Sequence, residues 1–228
     1  MIYELKNKGE DWKLVEIFPR GNIKLFTKNA IAISVVKEDK HFSSYKIKDK
    51  DTVWLLHIIH LTSAMNKDEE ARNRRADKVS DLIRKLEEYT FKTDEYKSII
   101  VGDFNLQPYS RGIAGIFGFN ATMSIPIAKK EFRSVEGEKR FYYYNPMWKL
   151  MGDNKLVQGT YYVDSDQQDL SMFWYSFDEV LIRPYFIDRF NWEYFGLVEK
   201  TEMFNLIKDY KINKTKFSDH LPLKFEII

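Results

Sequence analysis

Polar side chains that could do chemistry stand at the ends of apolar runs in this chain. A histidine closes one run, a carboxylate and a carboxamide follow a second, and a carboxylate and a histidine precede the last. In α/β folds such positions commonly carry functional groups, because a rigid sheet holds the loops that follow its strands. These side chains are His60, Asp103, Asn105, Asp219 and His220.

The spacing within two of these pairs limits what they can do together. Asp103 and Asn105 lie two residues apart, so an extended segment would place both on one face. There the carboxylate could polarise a water molecule while the carboxamide donates a hydrogen bond to a phosphoryl oxygen. Asp219 and His220 would reach one site only through a turn, which Pro222 favours. The alternative for the first pair is a plain turn, because Gly, Asp and Asn all favour turns.

The hydrophobic pattern predicts the elements that position these groups. Short apolar runs rich in β-branched residues predict strands, and one of them, residues 30–36, is expected to be buried. Val79, Leu82, Ile83 and Leu86 repeat at helical spacing between charged residues, which predicts one long helix. We therefore expect an α/β (α+β) architecture with a mixed sheet. The other predicted strands are residues 52–60, 98–102, 177–182 and 221–228, and the predicted helices are 67–89, 108–118 and 201–211.

Several other polar or aromatic residues have simpler explanations. His57 is expected to be a hydrogen-bonded core histidine, since it should face away from His60, and His41 is expected to be solvated in a polar connection. The charged run 67–78 is typical of the solvent-exposed face of a helix. The tyrosines at 142–144 favour packing over base stacking, although stacking stays open.

Composition excludes several classes of protein. With 16% aromatic residues, the 228-residue chain is not mainly disordered, and we expect it to form a single domain over residues 1–228. The absence of cysteine excludes disulfides, thiolate metal sites and thiol nucleophiles. A net charge of +2 means that any nucleic-acid footprint must be a local basic patch. No apolar run is long enough to span a bilayer, and the polar N-terminus predicts a cytoplasmic protein.

Taken together, four motifs give the chain a resemblance to a known superfamily. They are His60-Leu61, Gly102-Asp103-Phe104-Asn105, Phe177-Asp178-Glu179-Val180-Leu181 and Ser218-Asp219-His220-Leu221-Pro222, in that order. This combination resembles the endonuclease/exonuclease/phosphatase superfamily, the DNase I-like phosphodiesterases. The stretch from Tyr144 to Trp148 is similar to a bacterial branch of it. The resemblance runs from about Gly21 to the C-terminus and implies a four-layer sandwich of two mixed β-sheets with helices outside.

The resemblance also implies roles for individual residues. Asp103 would orient or deprotonate the attacking water, and Asn105 would hold the scissile phosphate. His220 would contact the phosphate and stabilise developing charge, with Asp178 orienting its ring. Asp219 would lie near the metal together with Asp103.

Two further residues, a cofactor and a substrate follow from the same resemblance. His60 would assist the leaving group, and Asn145 is assigned to substrate binding. Mg²⁺ or Mn²⁺ is the expected metal, because carboxylate-rich, cysteine-free sites favour hard cations. The expected partner is a nucleic acid or another phosphoester substrate.

One departure from the superfamily's pattern concerns its N-terminal strand–helix–strand unit. That unit normally supplies an Asn and a metal-binding Glu. We expect the chain to begin after it and to be a truncated or degenerate member with weak metal affinity. Glu4 and Glu10 are the substitutes to consider. We interpret the chain as a metal-dependent nuclease; the alternatives are a phosphatase on a small phosphoester and a catalytically weak binding protein. A basic patch at Arg72, Arg74, Arg75 and Lys78 would favour nucleic acid if it faces the site.

Overall fold

The fold is seen in a computed structural model that describes residues 12–15, 23–28, 31–63, 68–152, 157–164 and 172–228. Glu4 and Glu10 lie outside these residues. So does Gly21, where the resemblance was expected to start.

Most of the described chain is organised as short strands. They are β1 (Lys13–Leu14), β2 (Phe26–Thr27), β3 (Ala32–Glu38), β4 (Phe42–Asp49), β5 (Thr52–His60), β6 (Ser98–Asp103), β7 (Ala121–Thr122), β8 (Phe132–Val135), β9 (Glu138–Phe141), β10 (Tyr143–Tyr144), β11 (Tyr161–Tyr162), β12 (Trp174–Tyr175), β13 (Asp178–Ile182), β14 (Gly196–Leu197), β15 (Ile207–Lys208), β16 (Lys211–Ile212) and β17 (Leu223–Lys224).

A seven-stranded mixed sheet forms the centre of the fold. Its order is β3-β4-β5-β6-β13-β10-β7, with β5–β6 and β10–β7 parallel and the other neighbours antiparallel. The remaining strands pair as two-stranded ladders: β1–β2, β8–β9, β11–β12, β14–β17 and β15–β16. This α+β architecture confirms the predicted fold class. Among the described residues, the seven-stranded sheet is the only sheet with more than two strands.

In the described part of the chain, three α-helices and two 3₁₀ helices accompany the sheet: α1 (Glu69–Phe91), α2 (Arg111–Ala114), α3 (Ile125–Ala128) and the 3₁₀ segments Pro146–Leu150 and Pro184–Arg189. Helix α1 crosses from β5 to β6. It begins at the N-cap Asp68, whose carboxylate accepts the Ala71 amide at 2.7 Å, and it ends at Lys92 in the left-handed conformation. No helix in the described ranges is both long and apolar enough to cross a membrane.

The sheet is buried on both faces. On one face, helix α1 packs Ala76, Val79 and Ile83 against sheet residues that include Ile59 and Ile100. On the other face, the 3₁₀ segments and the C-terminal ladder β14–β17 cover a second apolar cluster. Its members include Ile99, Val180, Ile182, Met147, Phe186, Phe190, Phe195 and Leu223. The strands that carry the candidate site are therefore held from both sides.

Several sequence-based expectations are wrong in detail. Strand β3 lies at the edge of the sheet and is half-exposed, so the described part of the predicted buried strand, residues 31–36, is not buried; Ala30 lies outside the described residues. Residues 201–211 do not form a helix but run into the β15–β16 hairpin. His41 is buried rather than solvated, because its carbonyl accepts the His60 amide at 2.9 Å. His57 is a core histidine, as predicted, and its Nδ1 lies 2.7 Å from Ser44 Oγ.

Candidate active site

Three of the candidate residues share one row across adjacent strands. His60 at the end of β5 is in register with Asp103 at the end of β6, and Asp103 is in register with Asp178 at the start of β13. The His60 Nε2 lies 3.6 Å from the Asp103 Oδ2. The backbone pairing of three strands thus brings together three side chains that are distant in sequence.

Gly102 explains why a glycine precedes Asp103. Its φ is +137°, and a Cβ there would lie 2.0 Å from the Ile59 carbonyl oxygen on the neighbouring strand. Only glycine allows β6 to approach β5 this closely in this conformation. The close approach is part of what holds Asp103 beside His60.

Asp103 and Asn105 form a turn that is also part of the site. The Asp103 carboxylate accepts the Asn105 backbone amide and the Asn105 side-chain amide, both at 2.8 Å. The same side-chain nitrogen also donates to the Leu61 carbonyl at 3.1 Å. Asn105 has φ +50°, so the segment is not extended. The turn is therefore present, with the side-chain amide of Asn105 directed at Asp103, and the functional interpretation of this motif stays a prediction.

His220 is held in the same cleft by Asp178. Its Nδ1 lies 2.6 Å from Asp178 Oδ2, which leaves Nε2 as the ring nitrogen available to a ligand. Thr160 fixes both partners: its hydroxyl accepts the Asp178 amide at 3.0 Å, and its carbonyl accepts the Leu221 amide at 2.8 Å. The turn expected before the last strand is present, since the His220 amide donates to Ser218 Oγ at 3.1 Å.

These groups line an open cleft with a volume of about 410 Å³. Ring contacts build one wall, where Tyr161 lies 4.8 Å from the His220 ring and stacks on Phe177. The lining residues are His60, Ser63, Asp103, Asn105, Tyr161, Phe177, Asp178, Ser218, Asp219 and His220. Sequence reasoning did not assign Thr160 and Tyr161 to the site, because a Thr–Tyr pair is common in sequences and carries no specific signal. An isolated antiparallel β-bridge between Tyr161 and His220 places both residues beside the cleft.

Charge and burial shift the pKa values of the two central groups. Burial and, second to it, the charge of Asp178 together raise the pKa of Asp103 to about 6, against the opposing effect of the hydrogen bond from the Asn105 amide. Burial lowers the pKa of His220, but the hydrogen bond and charge of Asp178 outweigh it, so that this pKa is raised overall. A carboxylate near its titration point and an imidazole that favours its cationic form therefore face the same cleft.

The carboxylates of the cleft fit a divalent cation. Asp103, Asp178 and His220 each offer a ligand atom, and these atoms lie within 4.8 Å of one another. The mutual repulsion that raises the Asp103 pKa is the repulsion that a bound cation would relieve. Asp219 lines the same cleft but is exposed and stands outside that group.

Arg72 on helix α1 reaches the site from behind. Its guanidinium donates to the backbone carbonyl of Asn105, whereas Arg74 points away and pairs with Glu70 at 3.3 Å. The expected basic patch is therefore divided: Arg72 contacts the turn formed by Asp103 and Asn105, and Arg74 stabilises its own helix. We find no row of arginines in this part of α1 that faces the cleft as a unit.

The structure does not bring Asn145 to the cleft, contrary to its predicted role in substrate binding. Asn145 is fully buried; its amide donates to Glu179 at 2.6 Å and its carbonyl accepts the Met147 amide at 2.9 Å. Burial raises the pKa of Glu179 well above its usual range, which favours a neutral acid in this pair. Asn145 thus caps a 3₁₀ turn and donates to one oxygen of a buried carboxyl.

Comparison with known proteins connects this geometry to one fold. Protein-family models and curated sequences give no significant match. Among solved structures, the mannosyl-6-phosphatase Bt3783 of Bacteroides thetaiotaomicron VPI-5482 is 15% identical, with 100% of this chain and 82% of that chain covered and a TM-score of 0.55. An endonuclease/exonuclease/phosphatase family protein of the same species is 14% identical (98% and 79% covered, TM-score 0.53). D. rerio TDP2, complexed with a single-strand DNA product, is 14% identical (99% and 81%, TM-score 0.51).

These likenesses show that the chain has the DNase I-like fold of the endonuclease/exonuclease/phosphatase proteins. The resemblance that the sequence motifs indicated is thereby confirmed at the level of the fold.

Proposed function

We propose that this chain is a divalent-metal-dependent phosphodiester hydrolase, and specifically a nuclease. The observation that supports this most directly is the convergence of Asp103, Asp178, His60 and His220 in one cleft, with His220 bonded to Asp178 at 2.6 Å. A carboxylate base beside a carboxylate-held imidazole is suited to water attack on a phosphate ester. Solved structures of the same fold include a phosphatase and a DNA-bound protein, in keeping with phosphoester chemistry.

Asp103 is the proposed base. Its pKa of about 6 leaves it mostly ionised near neutrality yet close enough to accept a proton from water. The water oxygen bonds to phosphorus as its proton moves to Asp103, and the bond from phosphorus to the leaving oxygen breaks. The leaving oxygen then takes a proton from solvent in the open cleft. Asn105 holds Asp103 through two hydrogen bonds, and the charge of a protonated His60 favours the ionised form of Asp103.

His220 is the proposed phosphate-binding residue. With Nδ1 engaged by Asp178, its Nε2 can donate to a non-bridging phosphoryl oxygen. The raised pKa of His220 favours the cationic ring, which stabilises the negative charge that develops on those oxygens. The roles of Asn105 in holding the phosphate and of His60 in assisting the leaving group stay predictions.

Asp103 and Asp178, whose ligand atoms lie within 4.8 Å of each other, would hold Mg²⁺ or Mn²⁺, which when bound neutralises phosphoryl charge. Asp219, which lines the same cleft, stays the further ligand that the sequence motif predicts. Binding of the metal can be measured apart from activity. We expect Mn²⁺ to raise the Tm of the chain and Asp103→Asn to reduce that rise.

A second candidate is a phosphatase that acts on a small phosphoester. It is favoured by the volume of the cleft, about 410 Å³, which suits a small ligand, and by the likeness to a mannosyl-6-phosphatase. Salt dependence separates the two. Binding of a nucleic acid should weaken steeply with salt, whereas a small phosphoester should show a shallow dependence.

Hydrolysis of bis(4-nitrophenyl) phosphate, 4-nitrophenyl phosphate and a labelled oligonucleotide in Mn²⁺ or Mg²⁺ tests the proposal. Asp103→Asn should lower kcat on the diester by about 10²- to 10⁴-fold, because an amide cannot accept the proton. Asp49→Asn, a strand-end substitution of the same type at the exposed end of β4, is the matched control and should leave kcat unchanged. Retention of diester turnover within a few-fold in Asp103→Asn would refute the assignment. Oligonucleotide binding without turnover of any substrate would favour the binding-protein alternative.

A further inference from the structure

A basic and aromatic surface adjoins the cleft on one side. It is built by residues 200–217, which lead from β14 through the β15–β16 hairpin to Ser218 in the cleft wall. Five lysines and two carboxylates give this segment a net charge of +3, while the whole chain carries +2. We call it the lysine–aromatic surface; its lysines are Lys200, Lys208, Lys211, Lys214 and Lys216.

Large apolar side chains are exposed on the same surface. Phe204 and Phe217 keep 41% and 37% of their surface accessible, and their ring centroids lie 5.3 Å apart. Met203 and Tyr210 are more exposed still. Exposed apolar side chains in mutual contact, as Phe204 and Phe217 are, often mark a binding surface. Lys216 lies beside both phenylalanine rings, with its Nζ 5.2 Å from the centroid of Phe204 and 5.6 Å from that of Phe217.

The hairpin is anchored, so the surface is a defined shape. Ile212 is buried in a small cluster with Leu221 and Val157, and the Asn213 amide donates to the Leu206 carbonyl at 2.9 Å. The Phe217 amide donates to the Asn213 carbonyl at 3.1 Å, which fixes the turn that leads into the cleft. The aromatic rings are therefore presented next to Ser218 by ordered backbone.

Charge on this surface is largely unneutralised. Lys211 pairs with Asp164 at 2.7 Å, but Lys200, Lys208, Lys214 and Lys216 form no ion pair with any residue in the described ranges. Positive groups interleaved with exposed rings match the backbone and bases of a single strand, since phosphates pair with lysines and bases stack on rings. A double helix would hide its base faces from these rings.

We infer that the lysine–aromatic surface binds single-stranded nucleic acid and leads it to the cleft, where Phe204 and Phe217 stack bases and Lys214 and Lys216 pair with phosphates. This inference rests on the proposed function, because it names single-stranded nucleic acid as the substrate class of the proposed nuclease. Binding itself can be measured whether or not the cleft is active.

Binding of fluorescently labelled 12-nucleotide single-stranded DNA and RNA, followed by anisotropy, tests the inference. All variants carry Asp103→Asn so that no strand is cut. We expect Phe204→Ala to weaken binding about 5- to 150-fold, the range of one lost base–aromatic stack. Lys214→Gln with Lys216→Gln should make the slope of log K against log salt shallower by about 1.4, since each single-strand phosphate contact contributes about 0.7.

Matched controls lie on other surfaces of the chain. Tyr89→Ala removes an exposed ring from helix α1, and Lys37→Gln with Lys46→Gln neutralises two lysines on β3 and β4. These controls should leave binding and its salt slope unchanged. Circular dichroism and Tm confirm that each variant is folded.

Hydrolysis of bis(4-nitrophenyl) phosphate by the same variants with Asp103 restored separates this inference from the proposed function. The inference holds if loss of oligonucleotide cleavage exceeds loss of diester turnover at least five-fold in Phe204→Ala. If the unmodified chain hydrolyses the diester but Phe204→Ala binds and cuts oligonucleotides normally, the inference is refuted and the function stands. If nothing is hydrolysed but binding falls as expected, the function fails and the surface assignment stands. The inference is also overturned if Phe204→Ala weakens binding to anionic lipid vesicles by the expected factor but leaves binding to nucleic acid unchanged.

Discussion

A buried ion pair behind the site offers the sharpest test of how this fold is held together. Glu87 on helix α1 and Arg183 after β13 are 0% and 1% exposed. The Glu87 carboxylate accepts hydrogen bonds from Arg183 Nε at 2.9 Å and from Tyr143 OH at 2.7 Å, as well as from Arg183 Nη2 and Ser98 Oγ. Arg183 also donates to the Tyr142 carbonyl and lies over the Tyr143 ring at 3.6 Å.

Arg183→Met removes one member of this pair and leaves the other. Glu87 would keep two neutral donors but lose both charged hydrogen bonds in a site without water access. Burial raises the pKa of Glu87, and in the native chain the charge of Arg183 more than compensates. Breaking such a pair costs about 3–5 kcal/mol, a large part of the roughly 5–15 kcal/mol that holds a domain together. Tyr143→Phe, which removes one hydrogen bond to the charge, should cost about 1.5–3 kcal/mol.

Equilibrium unfolding in urea, followed by tryptophan fluorescence and circular dichroism, measures these costs. The control is Lys129→Met, which breaks an exposed ion pair with Asp188 at 2.7 Å and should cost about 1 kcal/mol or less. The double variant Glu87→Leu with Arg183→Met should be more stable than either single variant, because no uncompensated charge is left. If Arg183→Met costs no more than Lys129→Met, or if the double variant shows simple additivity, our account of this pair is wrong.

Three further predictions concern pH and the arrangement of the site. Burial lowers the pKa of His57 to about 4, so the stability from its neutral ring is complete above pH 6.5 and is lost as pH falls towards 4. Between pH 7 and pH 4.5 we expect the unmodified chain to lose about 2.4 kcal/mol of unfolding free energy relative to His57→Gln, with both chains measured at both pH values. His220→Ala should lower kcat/KM by about 10²- to 10⁴-fold and Asp178→Asn by less, with the pKa of His220 lowered by the loss of its partner; a double variant much worse than His220→Ala would contradict their action as a unit. Arg72→Ala should lower kcat/KM at least about ten-fold with little change in Tm, because it frees the turn after Asp103, whereas Arg74→Ala should change neither; equal effects of the two would rule out the positioning role.

Strands at the centre of the sheet could be predicted almost to the residue. Residues 52–60 form β5 with the predicted bounds, and 98–102 form β6 with one residue more, because dense β-branched runs have few alternatives. The groups at their ends were found for the same reason. That His60, Asp103 and Asp178 lie side by side depends on which strands pair and in which register, and the local sequence pattern does not encode this.

Contacts between distant segments account for what sequence reasoning missed. Arg72 and Asn105 are separated by 33 positions, and Thr160 meets Asp178 across 18. The hairpin at 207–212 was mistaken for a helix because its apolar and charged residues alternate over too few positions to separate the two periods. Asn145 was misassigned because an Asn that caps a turn and one that binds a substrate look alike in sequence.

The row formed by His60, Asp103 and Asp178 has a consequence for how the protein should fail on heating. Their separations are set by backbone ladders, with neighbouring strands about 4.8 Å apart, so they cannot drift apart until the sheet itself melts. His220 lies in a loop anchored through Asp178 and Thr160, and such a loop can open at lower cost. Thermal inactivation should thus occur at a lower temperature than the loss of the β-sheet circular dichroism signal. At that temperature the His220 imidazole has moved out of the site, while Asp103 and Asp178 are still held by the paired strands.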